Sequence, residues 1–291
     1  SKYFLVVSAV LMITSLVLLV KPGPQLSIEF TGGTLMEVYV PEGKTKEDLE
    51  ASLAKFTMGT ESLENVSIAR TKDESYFIRM ESLSNEEHLA LVDHLKKDVG
   101  EIRETQYNTI GPTVGASLKR RAFYALGIAA IAIVLYIALA FRKIPRQLSP
   151  FRFGIAAIAA LLHDILITVG IFTILSYYTT FQVDTLFISA LLSIMGYSVN
   201  DTIVIFDRIR DNLQQDGSSK NFADLADRSL HQTLTRTFNT GIGALIMLFS
   251  LFFLGSESIR WFVLTLILGT IIGTYSSFFI ATPLLVYWKK K

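Results

Sequence analysis

Six stretches of the chain are apolar over roughly twenty residues each, enough for a helix to cross a hydrocarbon core about 30 Å thick. They run over residues 3–20, 122–141, 153–178, 186–206, 237–254 and 261–288. The stretch between the first and second has a different texture. Lys21-Pro22-Gly23-Pro24 ends the first helix, because proline has no N–H to donate and glycine adds freedom. Apolar and polar residues then alternate over 35–40, a strand signal, after a Gly32-Gly33 pair that predicts a bend or bulge. Leu49, Leu53 and Phe56 recur at helical spacing behind a Thr45/Asp48 capping box, so 45–56 reads as a helix. Residues 65–70 and 76–81 read as strands around a polar turn. A second helix over 84–99 turns Leu91, Val92, Leu95 and Val99 inward behind a Ser84/Glu87 cap, and a last strand covers 101–109.

The order β-α-β-β-α-β predicts an α+β, ferredoxin-like split βαβ sandwich for 21–118, inserted between the first and second of six transmembrane helices. That fold names no activity. The fold class is thus a polytopic α-helical membrane protein. Residues 1–20 form helix 1, 21–118 the inserted domain, and 119–291 helices 2–6. Phe222, Leu225, Ala226, Leu230 and Leu234 predict a short cytoplasmic amphipathic helix near 221–234. The first apolar run lacks a small-x-small cleavage pattern and is expected to be retained, and the chain opens without methionine, as a trimmed one would.

Charge sharpens this division. Residues 21–118 hold 10 basic and 17 acidic side chains, whereas the remainder holds 17 basic and 9 acidic. An acidic domain inside a basic membrane body leaves no footprint for nucleic acid, so the expected surroundings are the lipid bilayer and protein. The absence of cysteine excludes disulfides, thiol nucleophiles and cysteine metal sites. Arg142, Lys143, Arg146 and Arg152, then Arg208, Arg210, Lys220 and Arg228, then Lys289, Lys290 and Lys291 mark one side of the membrane. The opposite turns carry only Arg260, so both termini are expected to be cytoplasmic and 21–118 extracytoplasmic. Lys119, Arg120 and Arg121 argue the other way and are outnumbered.

The fourth span contains Asn200 and Asp201, a costly pair in hydrocarbon. With a rise of 1.5 Å per residue, Asp201 lies about 7 Å inside a span that ends near Phe206. Tyr197, Asn200, Asp201, Val204 and Arg208 share one side of that helix, a stripe expected to face other helices. In the third span Ala156, Ala160, Asp164 and Thr168 form a ladder of small residues around a carboxylate, with His163 beside it. Arg236 enters the fifth span at the cytoplasmic edge, within reach of the depth of Asp201.

Two readings of this set stand side by side. Desolvation favours the neutral form of a carboxylate and a neighbouring guanidinium the charged form, so a motion that separates the two moves a proton. Alternatively, Asp201 and Arg236 form a static bridge that only sets helix register, and His163 simply bonds a neighbouring helix. Gly269-x-x-x-Gly273 is a packing pair, within the chain or between subunits. Nothing points to an enzyme: no Ser-His pair is evident, and Val199-Asn200 precedes Asp201 where intramembrane aspartyl proteases use Gly-x-Gly. No Gly-Lys-Ser/Thr follows Gly32-Gly33, so no phosphate loop, cofactor or metal is expected.

Several segments together carry a resemblance. They are Ile28-Glu29-Phe30-Thr31-Gly32-Gly33-Thr34, Gly111-Pro112-x-Val114-Gly115, His163-Asp164, residues 196–210 (Gly-Tyr-Ser-Val-Asn-Asp-Thr-Ile-Val-Ile-Phe-Asp-Arg-Ile-Arg) and Leu234-x-Arg236-Thr237. Over nearly its whole length the chain resembles the SecF family, the smaller membrane subunits of the SecD/SecF complex of bacterial Sec protein export. The resemblance implies half of an RND-superfamily transporter fold in the bacterial cytoplasmic membrane. It implies SecD as the other half, and the SecYEG translocon and translocating preproteins as further partners. It also implies protons as the coupling ion, with sodium as the alternative. In that scheme Asp201 is the proton carrier, Arg236 its basic counterpart, and Asn200, Asp164 and His163 line the route. A proton-coupled small-molecule transporter of the RND superfamily and a passive translocon scaffold are the rivals. A single 98-residue insertion without paired porter domains counts against the transporter.

Overall fold

The computed structural model describes residues 2–58, 61–63, 66–71, 74–141, 150–215 and 222–289, which divide into two units. Residues 25–123 together with 182–185 make the smaller one, and the remaining described residues make the larger.

The smaller unit is built on a four-stranded sheet. Its elements are α2 (Ile28–Thr31), β1 (Gly33–Tyr39), α3 (Lys46–Leu53), β2 (Thr57–Met58), β3 (Glu61–Ser62), β4 (Ser67–Arg70), β5 (Tyr76–Met80), α4 (Asn85–Asp98) and β6 (Arg103–Ile110), and α1 (Lys2–Val20) precedes them. The strand order is β4-β5-β1-β6 with every neighbour antiparallel, while β2 and β3 pair only with each other. Alternation puts Met36, Val38, Ile78 and Met80 on one face of the sheet, buried against Leu49 and Leu53 of α3 and Leu91 and Leu95 of α4. Both helices start with the capping boxes read from the sequence, Thr45/Asp48 and Ser84/Glu87. The bond from the Ser84 backbone N–H holds the Glu87 carboxyl below the usual carboxylate range.

Before β1, Ser27 caps a single helical turn, α2, and Gly32 at φ 76° carries the chain into β1, at the Gly32-Gly33 pair where a bend or bulge was expected. The small β2–β3 hairpin was not legible as a periodic pattern, since two-residue strands carry none. Residue 65, the start of one expected strand, lies outside the described residues.

Among the described residues six helices are long and apolar enough to cross a membrane. They are α1, α5 (Pro112–Ala140), α6 (Pro150–Tyr178), α7 (Thr185–Gln215), α8 (Phe222–Leu254) and a composite of α9 (Arg260–Ser276), a π-helical turn (Ser277–Ala281) and α10 (Thr282–Lys289). The break in the last has a local cause. Pro283 cannot donate to the ladder and its ring crowds the preceding turn, which relaxes into the wider π register. The amphipathic helix expected near 221–234 continues without a break into the fifth span as α8. No glycine or proline intervenes between Phe222 and Thr240, so nothing stops the helix. Residue 221 lies outside the described residues, as do Arg142, Lys143, Arg146, Lys220, Lys290 and Lys291.

Close approach of these helices depends on small residues. A Cβ at Gly170 of α6 would sit 2.5 Å from the Ser15 Cβ of α1, and one at Gly269 of α9 would sit 2.3 Å from the Ile194 Cγ1 of α7. The Gly269-x-x-x-Gly273 pair therefore packs within this chain. Gly269→Val is expected to overpack that crossing by about 1–3 kcal/mol and to lower the thermal unfolding midpoint of the detergent-solubilised protein. An unchanged midpoint would show that α7 and α9 part freely. By contrast α5 and α8 present Ile128, Ile131, Leu135, Ile242, Ile246 and Phe253 outward, as faces that meet lipid or protein would.

Candidate functional site

Polar groups inside the larger unit gather where α6, α7 and α9 cross. The α6 ladder predicted from sequence is fully inside: Ala156, Ala160, Asp164 and Thr168 are all 0% exposed. Because Ala156 and Ala160 lack bulk, the neighbouring helices come close enough for their hydroxyls to reach Asp164. Asp164 Oδ2 accepts from Ser198 Oγ of α7 and from Ser276 Oγ of α9, the latter at 2.8 Å. Its Oδ1 pairs with His163 Nδ1 at 2.8 Å. The other ring nitrogen of His163, Nε2, is buried without a partner among the described residues. That ring lies beside the ring of Tyr275, whose hydroxyl is 3.2 Å from Ser8 Oγ of α1.

Asp201 sits one turn beyond Ser198 and is 2% exposed. Its treatment is different: among the described residues Oδ2 accepts a single bond, from Thr274 Oγ1 of α9 at 3.3 Å, longer than an ordinary O–H···O contact. Thr202 Oγ1 and Ser277 Oγ lie 2.9 Å apart nearby, and Ser277 also donates to the Gly273 carbonyl. Gly273 makes this possible, since a Cβ there would fall 3.1 Å from the Ser198 Cβ. From α8, Gly241 leaves room for the Tyr197 hydroxyl, 3.2 Å from where its Cβ would stand. Two carboxylates thus face the same stretch of α9, one held by three groups and the other by one.

The remaining sequence-predicted residues are placed elsewhere. Of the stripe drawn along α7, Tyr197 and Arg208 reach α8 and Asp201 reaches α9, whereas Asn200 is exposed. The most buried line of α7 runs through Ile194, Ser198, Asp201, Thr202, Ile205 and Ile209, with Ile194 against Gly269 and Ser198 against Gly273 of α9. Arg236 is exposed on α8, and among the described residues no ion pair joins it to Asp201. Arg208 instead donates to Gln232 at 2.7 Å, and Asn212 to Ser229 at 2.7 Å, which ties the ends of α7 and α8 together. Ser198, Thr202, Thr274, Ser276 and Ser277 escaped sequence reasoning. For Thr274, Ser276 and Ser277 the signal was the run Thr274-Tyr275-Ser276-Ser277 inside an apolar span. Among the described residues no three His, Cys, Asp or Glu side chains cluster as metal ligands would.

Residues 91–291 match the family model described as protein export membrane protein SecD/SecF, C-terminal, and residues 17–38 match the SecD/SecF GG motif. The protein translocase subunit SecF of Thermobaculum terrenum is 37% identical over 99% of this chain and 92% of that one. The SecDF subunit of Bacillus subtilis is 34% identical over 99% of this chain, which spans only 37% of that longer protein. In the crystal structure of SecDF from Thermus thermophilus, described as a translocon-associated membrane protein, 38% of the chain matches all of this one with a TM-score of 0.84 at 30% identity.

Proposed function

This chain belongs to the SecF family of protein translocase subunits, and from that premise we propose that it drives protein export as one half of a proton-coupled device. The other half is SecD. A relative in which both names belong to one polypeptide, and of which this chain spans 37%, supports that pairing. The exposed apolar faces of α5 and α8 leave room for it.

In this reading Asp201 binds and releases the proton. The observation that carries it is the contrast between the two buried carboxylates: Asp164 is held by three groups, and Asp201 by one long bond from Thr274. A carboxylate whose partners do not lock one protonation state is free to alternate between two. Asp164 and His163 extend the polar route across α6. Asn200 and Arg236 supply polar groups where SecD docks, and Arg236 approaches Asp201 in another state of the cycle.

The smaller unit, whose four-stranded sheet follows β1-α3-β4-β5-α4-β6 with the β2–β3 hairpin inserted, is a ferredoxin-like domain held outside the cytoplasmic membrane, and both chain termini are cytoplasmic. There it moves against preproteins leaving SecYEG. A protonophore added to inverted vesicles containing this chain and SecD is expected to remove the stimulation of preprotein export, and replacing sodium by potassium to leave it unchanged. Stimulation that survives the protonophore would favour a passive scaffold, and loss on sodium removal would assign the coupling to sodium.

A further inference from the structure

Residues 26–32 sit at a junction that the intramembrane groups do not explain. At one end Leu26 forms a parallel bridge with Val183, with Ser27 N–H donating to the Val183 carbonyl at 3.0 Å and Val183 N–H to the Gln25 carbonyl at 2.8 Å. Glu29 then reaches the start of α7, where its Oε2 accepts the Thr185 N–H at 2.7 Å. This satisfies one of the four N–H groups that a helix start leaves open, with a negative charge where the helix dipole favours it. At the other end Gly32 lies against the start of α5. A Cβ on Gly32 would be 2.8 Å from the Pro112 Cα, and one on Gly115 would be 2.7 Å from the Gly32 nitrogen. Gly33 follows at φ 121°, where a Cβ would meet the Met80 carbonyl at 2.7 Å, and leads into β1, a central strand of the sheet. One short segment is therefore joined to Thr185, the first residue of α7, to the first turn of α5 and to the middle of the sheet.

We propose that residues 26–32 are a fixed bolt that passes displacement of α7 into the sheet, and that Glu29 is the positioning residue that holds the bolt to α7. α7 runs unbroken from Thr185 past Asp201, so an axial shift at the carboxylate arrives at Thr185 with little loss. A Glu29 bond and a two-bond bridge grip that end, and the glycine pair leaves no side chain to cushion the backbone contact with α5. This inference rests on the proton-coupled reading of Asp201.

The test uses the full chain with SecD in inverted vesicles, and the lack of native cysteine makes an engineered pair unambiguous. Glu29→Ala is expected to lower proton-driven stimulation about fivefold or more, the low end of a coupling free energy between two sites. Glu29→Gln keeps an acceptor oxygen and is expected to retain most of it. Leu26→Cys with Val183→Cys replaces bridge partners on segments about 4.8 Å apart, within the span a disulfide accepts. When oxidised, this pair is expected to restore stimulation to Glu29→Ala, and reduction is expected to remove it again. In the otherwise wild-type chain the oxidised pair should leave stimulation intact. Undiminished stimulation in Glu29→Ala, failure of the disulfide to restore it at normal membrane levels, or loss when the wild-type junction is locked would each overturn the bolt. Asp201→Asn run in parallel separates the two readings, because stimulation retained there overturns the proton site, whatever Glu29 does.

Discussion

Asp201→Asn is expected to reduce proton-driven stimulation of preprotein export to the background of vesicles lacking this chain, while SecD still co-purifies with it. The amide has nearly the volume of the carboxylate, and its oxygen can still accept from Thr274, so the packing of α7 on α9 should persist. What it cannot do is exchange a proton. An amide also carries no charge in either state of the cycle, which removes the electrostatic reason for the surrounding helices to prefer one arrangement when loaded and another when empty. The assay compares vesicles with and without a proton gradient at matched SecF and SecD levels. Stimulation that persists in the variant would remove Asp201 from the coupling path and leave a structural role for it.

The second large effect is on stability, at Asp164. Asp164→Ala removes the acceptor for Ser198 and Ser276 and the partner of His163 Nδ1 in one step, within a 0% exposed position. Ser276 retains a second acceptor, the Gly273 carbonyl at 3.0 Å, so the loss is less than three full bonds. We expect a cost of about 2–4 kcal/mol, since a buried group left unsatisfied costs about 1–3 kcal/mol and the truncation adds a cavity. The detergent-solubilised protein should unfold about 4–16 °C lower, at roughly 2–4 °C per kcal/mol. Asp164→Asn keeps an acceptor for the hydroxyls and should recover most of the midpoint. Equal midpoints for Asp164→Ala and the wild type would mean that the cluster contributes nothing to holding α6, α7 and α9 together.

The two carboxylates show how a site can be half visible in a sequence. Asp164 and Asp201 stand out because a charge inside an apolar run has no cheap explanation, and their spans were legible from length alone. Their partners were not. Serine and threonine are tolerated anywhere in a membrane helix, bonding back to the preceding turn as Thr265 and Ser250 do here, so a hydroxyl carries little signal until another helix is brought against it. Arg236 shows the limit of depth as a signal. Its depth suggested a bridge to Asp201, but depth says nothing about which side of α8 it occupies, and it lies on the exposed side.

Local rules sufficed wherever the information was periodic or covalent. The six apolar helices, both capping boxes, the alternating core strands and the α6 ladder follow from which residues stand at spacings of two, three and four, and hydrophobic burial enforces such patterns without reference to distant parts of the chain. Tertiary structure alone decided the rest. It turned α7 so that Ser198 and Asp201 point inward and Asn200 outward, set the two carboxylates against one stretch of α9, and joined Glu29 to Thr185, 156 positions away in the chain. The reason is the same in each case. Rotation of a helix about its axis and pairing between distant segments depend on which surfaces fit together, and here that fit was set by where glycines let two backbones meet.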